Sequence, residues 1–383
     1  MKSKLELLLS ELSGAVADLG ILLPLAFALF VFNGFSASKL FILWGIVYIA
    51  TGLYFKIPVS VQPLKAMAII AIASGFDQAF LASTAFFYGL LMLVLTATGL
   101  ITKLKQIFSL ALIRGVQIGI GLILASKAFG LLIDKGLFVF STEANFKLNL
   151  LLAAIILVIV YLSQRFTKLA IAFWLVVSSI LLVKFAGISF AVDLVQPLDF
   201  SLVKPEPSIL WQALPLLILP QLPLTLGNAV YAAADSAQEL YPNKSKKLEA
   251  ENLSNSIGIS NIFLGLFGGF PVCHGAGGIV AHHKMGARTG ASTITLGIAL
   301  ILLSLNPSTR NVLFQIPIPV LAALLLMAAW QMLAFASKLE SKTEFIIAII
   351  VALISFVSHN LFLAILAGFV LEKFLKFQKA VIK

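Results

Sequence analysis

A chain of 383 residues with 60% hydrophobic residues, 11% charged residues and a mean hydropathy of +1.06 is not a soluble domain. Soluble domains carry about 25% charged residues, so most of this outer surface must face lipid. The net charge of +11 then reads as topology and contact with anionic lipid, not as a nucleic-acid surface, and the single cysteine, Cys273, excludes an intrachain disulfide or a cysteine-pair metal site.

The chain opens with MKSKLELLLSELSGAVADLG, in which Glu6, Glu11 and Asp18 interrupt any signal-like apolar run, so no cleaved peptide is expected. Leu5, Leu7, Leu8, Leu9 and Leu12 make a short amphipathic lead at the membrane interface. A bilayer-spanning helix needs about 20 apolar residues. Candidate segments follow near residues 12–32, 38–55, 60–74, 79–101, 107–125, 148–163 and 169–187. A polar linker then separates them from a second set near 208–233, 254–268, 273–283, 289–305, 313–336, 343–357 and 360–376.

The expected architecture is an all-α polytopic membrane protein of about 14 segments, arranged as seven plus seven. An N-terminal repeat covers 1–190, an extracytoplasmic linker 191–207 and a C-terminal repeat 208–383. The third and tenth segments are broken and share a Pro-Val step, at Ile57-Pro58-Val59 and Phe270-Pro271-Val272. An odd number of segments per half inverts one repeat relative to the other. Paired broken segments in such halves point to the binding site of a secondary transporter. The tenth segment's break, FGGFPVCHGAGG at 267–278, sets Pro, Cys, His and five Gly inside membrane-grade sequence. Irregular backbone at that depth is tolerated only where it lines a cavity or is buried in protein.

With a cytoplasmic N-terminus, eighteen of the 27 basic residues fall on the inner side and seven on the outer, as the positive-inside rule requires. That places both termini in the cytoplasm of a multi-pass protein of the cell membrane. Lys65 and Arg114 remain inside predicted segments. An ionisable residue at the centre of a span costs roughly 2.5–3.5 kcal/mol, so Asp18, Lys65, Arg114, Asp235 and His274 are functional candidates. Lys65 follows Pro63 at the start of a helix, where its charge opposes the helix dipole unless an anion relieves it. Helix N-termini offer free N–H groups to anions. Leu64, Lys65 and Ala66 on one side, with Gly275, Ala276, Gly277 and Gly278 on the other, could hold one between them, with Gln62 and His274 as side-chain donors.

Plainer roles compete for each residue. Lys65 could snorkel towards the interface, Arg114 and Asp18 could form a structural pair, and His274 could be a satisfied core histidine. Cys273 beside His274 lacks a third group for nucleophilic catalysis and is better read as a small apolar contact. His282, His283 and Lys284 sit at the expected cytoplasmic exit of the tenth segment, without the spacing of a metal site.

ELSGAVADLG at 11–20, VQPLKAMA at 61–68, LTLGNAV at 224–230, FGGFPVCHGAGG at 267–278 and GARTGAS at 286–292 resemble the molybdate-transporter family, relatives of the sulfate permeases that lack a cytoplasmic regulatory domain. The resemblance implies molybdate uptake, with sulfate-like oxyanions as near substrates. It also implies the fold shared by sulfate, bicarbonate and uracil permeases, in which a core domain holding the broken segments moves against a gate domain. Two positions depart from the pattern: Ser60 stands where a second proline is expected, and His282-His283-Lys284 precedes GARTG.

The expectation is therefore a secondary active importer, not an enzyme, with no cofactor or metal, coupled to H+ or Na+. Asp18, Asp235 and His274 are its candidate proton carriers, and a homodimer is an admissible assembly. A nucleobase permease of the same fold is the nearer rival, against which stands the lack of Asp or Glu in either broken segment. A channel and a membrane enzyme using Cys273 and His274 are the remoter ones.

Overall fold

The computed structural model describes residues 4–105, 108–138, 141, 143–166, 171–185, 198–242, 247–305 and 316–381. The expected boundary at 190/191 and the start of the linker 191–207 lie outside the described residues. Each of the fourteen expected segments overlaps a helix. Among the described residues, five helices are long and apolar enough to cross a bilayer, namely Ala37–Phe55, Gln78–Ala97, Leu110–Asp134, Phe146–Ser163 and Pro207–Leu240. A sixth arises if Leu5–Asp18 and Leu22–Asn33, bent by 40°, act as one. The other segments fall on shorter or more polar helices, so the number of crossings is less than explicit in the helix lengths.

Sequence punctuation sets the ends. Ser36, Asp77 and Ser109 accept backbone N–H bonds at helix starts. Gly34 and Gly75 close helices in the left-handed region that glycine adopts without strain. The leader helix Lys4–Ala15 exposes Leu5, Leu7, Leu8, Leu9 and Leu12. A 3₁₀ turn at Val16–Asp18 then bends the chain and leaves Asp18 buried at the corner.

Two helix pairs carry the heaviest packing: Gln78–Ala97 against Ala250–Leu266, and Ala37–Phe55 against Ala291–Leu305. They are the fourth segment on the ninth and the second on the eleventh, so exchanging the halves converts one pair into the other. Glycines make both close. A Cβ at Gly45 would meet the Gly297 carbonyl at 2.7 Å, and one at Gly89 would meet the Gly258 carbonyl at 2.6 Å. Backbone-to-backbone approach through small residues is how helices associate where no hydrophobic force separates them from lipid.

A second packed group centres on Leu110–Asp134, which touches Ile318–Leu333 and Lys342–Ser358; Leu361–Val381 and Phe146–Phe166 complete it. The half-helix Lys65–Ser74 packs on Leu19–Asn33, on Leu110–Asp134 and on the Leu219–Leu224 turn of the long helix.

The two breaks meet. The pyrrolidine rings of Pro58, Pro63 and Pro271 cannot continue a helix and push the residues before them towards extended backbone. Two two-residue strands result, β1 (Gln62–Pro63) and β2 (Val272–Cys273), paired antiparallel with Gln62 opposite Cys273 and Pro63 opposite Val272. Leu64 N–H donates to the Pro271 carbonyl at 3.0 Å to extend the ladder. Trp44 Nε1 donates to Phe270 O, and the Asn261 side chain bonds both Val272 N–H and Val272 O. From this clasp the ten-residue half-helix Lys65–Ser74 and the nine-residue half-helix Ala276–Lys284 run on.

Candidate binding site between the half-helices

Lys65 and Cys273 line a small cavity where the clasp faces the second packed group, together with Gln117, Gln221 and Asn228 and the apolar caps Leu224 and Met332. The Lys65 ammonium has no hydrogen bond or ion pair among the described residues. Arg114 donates to Gln117 Oε1 at 2.7 Å, which leaves the Gln117 NH2 as the end free to donate. Among the described residues no carboxylate lines the cavity. A cation and neutral amides around one space suit a ligand that only accepts hydrogen bonds.

The half-helix starts differ from the expectation at several residues. Leu64 N–H is consumed by Pro271, and the N–H groups of Ala66 and Met67 both donate to Gln221 Oε1, at 2.9 and 3.2 Å. The first helix start therefore reaches the cavity capped by a side chain and not bare. On the second, Gly277 is exposed and a Cβ there would meet nothing within 4 Å. A Cβ on Gly275 would lie 2.7 Å from Gln62 Oε1 and 3.7 Å from Asn228 Nδ2. Gly278 turns inward, where a Cβ would press on Ser60 and Asp18, and the Ala276 side chain packs with Phe55, Ile57 and Val59. Of the four residues, Gly277 has the open face; Gly275 and Gly278 permit close approach of protein to protein.

His274 does not supply the expected donor. Its Nδ1 faces the Ser60 carbonyl at 2.9 Å, which can only accept, so Nδ1 carries the proton and Nε2 receives the Ser256 hydroxyl at 2.8 Å. Both ring nitrogens are spent, and the buried ring packs edge-on to Phe55. Gln62 likewise gives its NH2 to Asp18 at 2.8 Å, so the end turned towards Gly275 is an acceptor, Oε1, without a partner among the described residues.

Asp18 is not paired with Arg114. It is fully buried and accepts from Tyr48 Oη at 3.0 Å, Gln62 Nε2 at 2.8 Å and His282 Nε2 at 3.1 Å. His282 is thereby moved from the expected membrane exit to the interior, in the last turn of the second half-helix. Asp235 is exposed and stands apart from this network.

Sequence reading missed Gln221, Gln117, Tyr48 and Ser256. None falls in a motif of unusual composition, although Gln221 lies between Pro220 and Pro223, a density of prolines that marks a distorted helix. The wide π-helical turns Leu214–Ile218 and Thr225–Tyr231 flank it, the second containing Asn228. Such turns are frequent at functional sites.

A sequence profile described as "Molybdate transporter of MFS superfamily" matches residues 10–124 and 213–332, which include every residue lining the cavity. Molybdate transporter 2 of Arabidopsis thaliana is 32% identical, covering 96% of this chain and 87% of its own length. Molybdate transporter 1 of the same plant is 27% identical, covering 88% and 81%. Among solved structures, the transmembrane domain of the cyanobacterial bicarbonate transporter BicA superposes with a TM-score of 0.67 at 19% identity, covering 97% of this chain and 98% of that one. Murine solute carrier 26 member A9, an anion transporter in an inward-facing state, gives 0.70 at 16%, covering 99% and 70%. At such identities the likeness is one of fold.

Proposed function

Because the chain belongs to the molybdate transporter family, we propose that it is a secondary active importer of molybdate in the cell membrane, with sulfate-like oxyanions as weaker cargo. The observation that carries this reading is the Lys65 ammonium, without an ion-pair partner among the described residues, in a cavity that it shares with the amides of Gln117, Gln221 and Asn228. A tetrahedral dianion has four acceptor oxygens and no proton to donate, and it would neutralise the lysine. A nucleobase presents both donors and acceptors, and among the described residues the cavity offers no carboxylate to answer the donors.

Import of a dianion against a negative interior costs about 2.3 kcal/mol per charge per 100 mV, so a coupling ion is needed. Asp18 is the carrier best placed for a proton. It is buried, shares a hydrogen with His282 and reaches the clasp through Gln62. Asp235 is exposed and His274 is saturated, so neither keeps that role.

The experiment is uptake of labelled molybdate into proteoliposomes by the wild type and Lys65→Gln. A hydrogen bond to a charged group contributes about 1.5–3 kcal/mol, so the variant should lose roughly ten- to hundredfold in affinity while staying folded. Undiminished uptake by Lys65→Gln would refute the site.

A further inference from the structure

Helix Pro207–Leu240 brings one buried side chain to the start of half-helix Lys65–Ser74 and anchors it there. Gln221 Oε1 accepts both Ala66 N–H and Met67 N–H, while its Nε2 donates to Thr225 Oγ1 at 3.1 Å. Thr225 is in turn held by the Tyr88 hydroxyl at 2.6 Å. The two backbone N–H groups belong to the set that a helix start presents to an anion. A carboxamide oxygen is the neutral group closest in form to one oxygen of an oxyanion. Lys65 stands beside it in the same cavity without an ion-pair partner among the described residues, so the amide dipole answers the local positive charge only in part. The backbone under Gln221 is also predisposed to shift. Pro220 and Pro223 remove N–H donors on either side, and the ladder is already widened at Leu214–Ile218 and Thr225–Tyr231.

We propose that Gln221 is a built-in stand-in for the cargo, holding the Ala66 and Met67 amides in the empty carrier until an oxyanion displaces it. The inference rests on the oxyanion reading of the cavity and adds a determinant of affinity and selectivity to it. Binding exchanges two N–H···O bonds to a neutral amide for two to a dianion, which are shorter and roughly twice as strong. The released carboxamide can turn its NH2 to the bound anion. A neutral carbonyl ligand accepts no better than Gln221 itself and gains nothing from the exchange, so the displaced residue filters cargo by charge. Because Gln221 rides on the distorted helix, its release also signals occupancy to the element that contacts the second packed group.

The test is calorimetric titration of the purified full chain with molybdate, alongside thermal unfolding, for the wild type, Gln221→Ala, Gln221→Glu and Lys65→Gln. Gln221→Ala removes the competitor and should bind molybdate about tenfold more tightly while unfolding at a lower temperature. Gln221→Glu keeps both hydrogen bonds and adds a carboxylate against Lys65. It should be at least as heat-stable as the wild type and bind molybdate roughly a hundredfold more weakly. Unchanged or weaker binding by Gln221→Ala, or wild-type binding by Gln221→Glu, overturns the proposal. If Gln221→Ala does not fold, Gln221→Glu decides alone. Lys65→Gln separates the two levels. Wild-type binding there overturns the cavity as the site, whereas weakened binding there without tightening in Gln221→Ala overturns only the role of Gln221.

Discussion

The Asp18 carboxylate and the His282 imidazole lie 3.1 Å apart, both fully buried, on helices from opposite halves of the chain. Three donors converge on that carboxylate, and His282 Nδ1 has no partner among the described residues. Asp18→Asn keeps the shape but replaces one acceptor oxygen by NH2, which sets a donor against a donor. Each buried group left unpaired costs about 1–3 kcal/mol. The variant should unfold at a lower temperature, and its molybdate uptake should no longer respond to an imposed proton gradient. Proton-driven accumulation at the wild-type level by folded Asp18→Asn would remove Asp18 as the carrier.

Lys65 and His274 separate binding from folding. Replacing Lys65 by Gln removes an unbalanced charge that the fold does not use, so unfolding should be unchanged or shifted upwards while molybdate affinity falls. His274→Ala leaves the Ser60 carbonyl and the Ser256 hydroxyl unpaired beside Phe55, at about 1–3 kcal/mol for each buried group. Its folded fraction should still bind. Thermal unfolding and calorimetry on the two variants give opposite patterns; matching patterns would mean that His274 touches the ligand after all.

Gly277 and Gly278 are neighbours with opposite tolerance. A methyl on Gly277 meets open space, and Ala is the better helix former by about 1 kcal/mol, so Gly277→Ala should fold normally. A methyl on Gly278 would press on Ser60 and lie 2.5 Å from Asp18 Oδ1. Overpacking of that kind costs about 1–3 kcal/mol. Expression level and unfolding temperature of the pair check this, and equal stability would contradict the inward orientation of Gly278.

Cys273 offers a direct view of occupancy, since it is the single cysteine of the chain and lines the cavity with Lys65. Its modification by a small methanethiosulfonate reagent should slow when molybdate is present and should not respond to uracil. A rate indifferent to molybdate would place the anion elsewhere.

Much of this arrangement was legible before any coordinates. Proline and glycine in a lipid-grade sequence betrayed both breaks, because few side chains can sit at a main-chain interruption in a membrane, and the cost of Lys65 in a span drew attention to the cavity it lines. What remained hidden depended on helix rotation. Gln221 and Gln117 are ordinary polar residues in helices, and only packing decides whether they face a cavity or lipid. The His282 position was misread for a related reason. The tenth segment's helix is nine residues long, so a residue near its end is still deep inside the protein. His274 drew the donor role through its neighbours, yet its ring is absorbed by Ser60 and Ser256, far apart from it in sequence or on another helix.

The clasp of β1 and β2 is made by main-chain atoms from opposite halves, with Asn261 and Trp44 also gripping carbonyl oxygens and not side chains. Ser60, at the position where the resemblance implies a proline, secures Gly275 O through its hydroxyl. The same joint ties the fate of one half-helix to the other. Neither can tilt alone without tearing a ladder that nothing in lipid would replace, so any displacement of one half-helix must take the other with it as one piece.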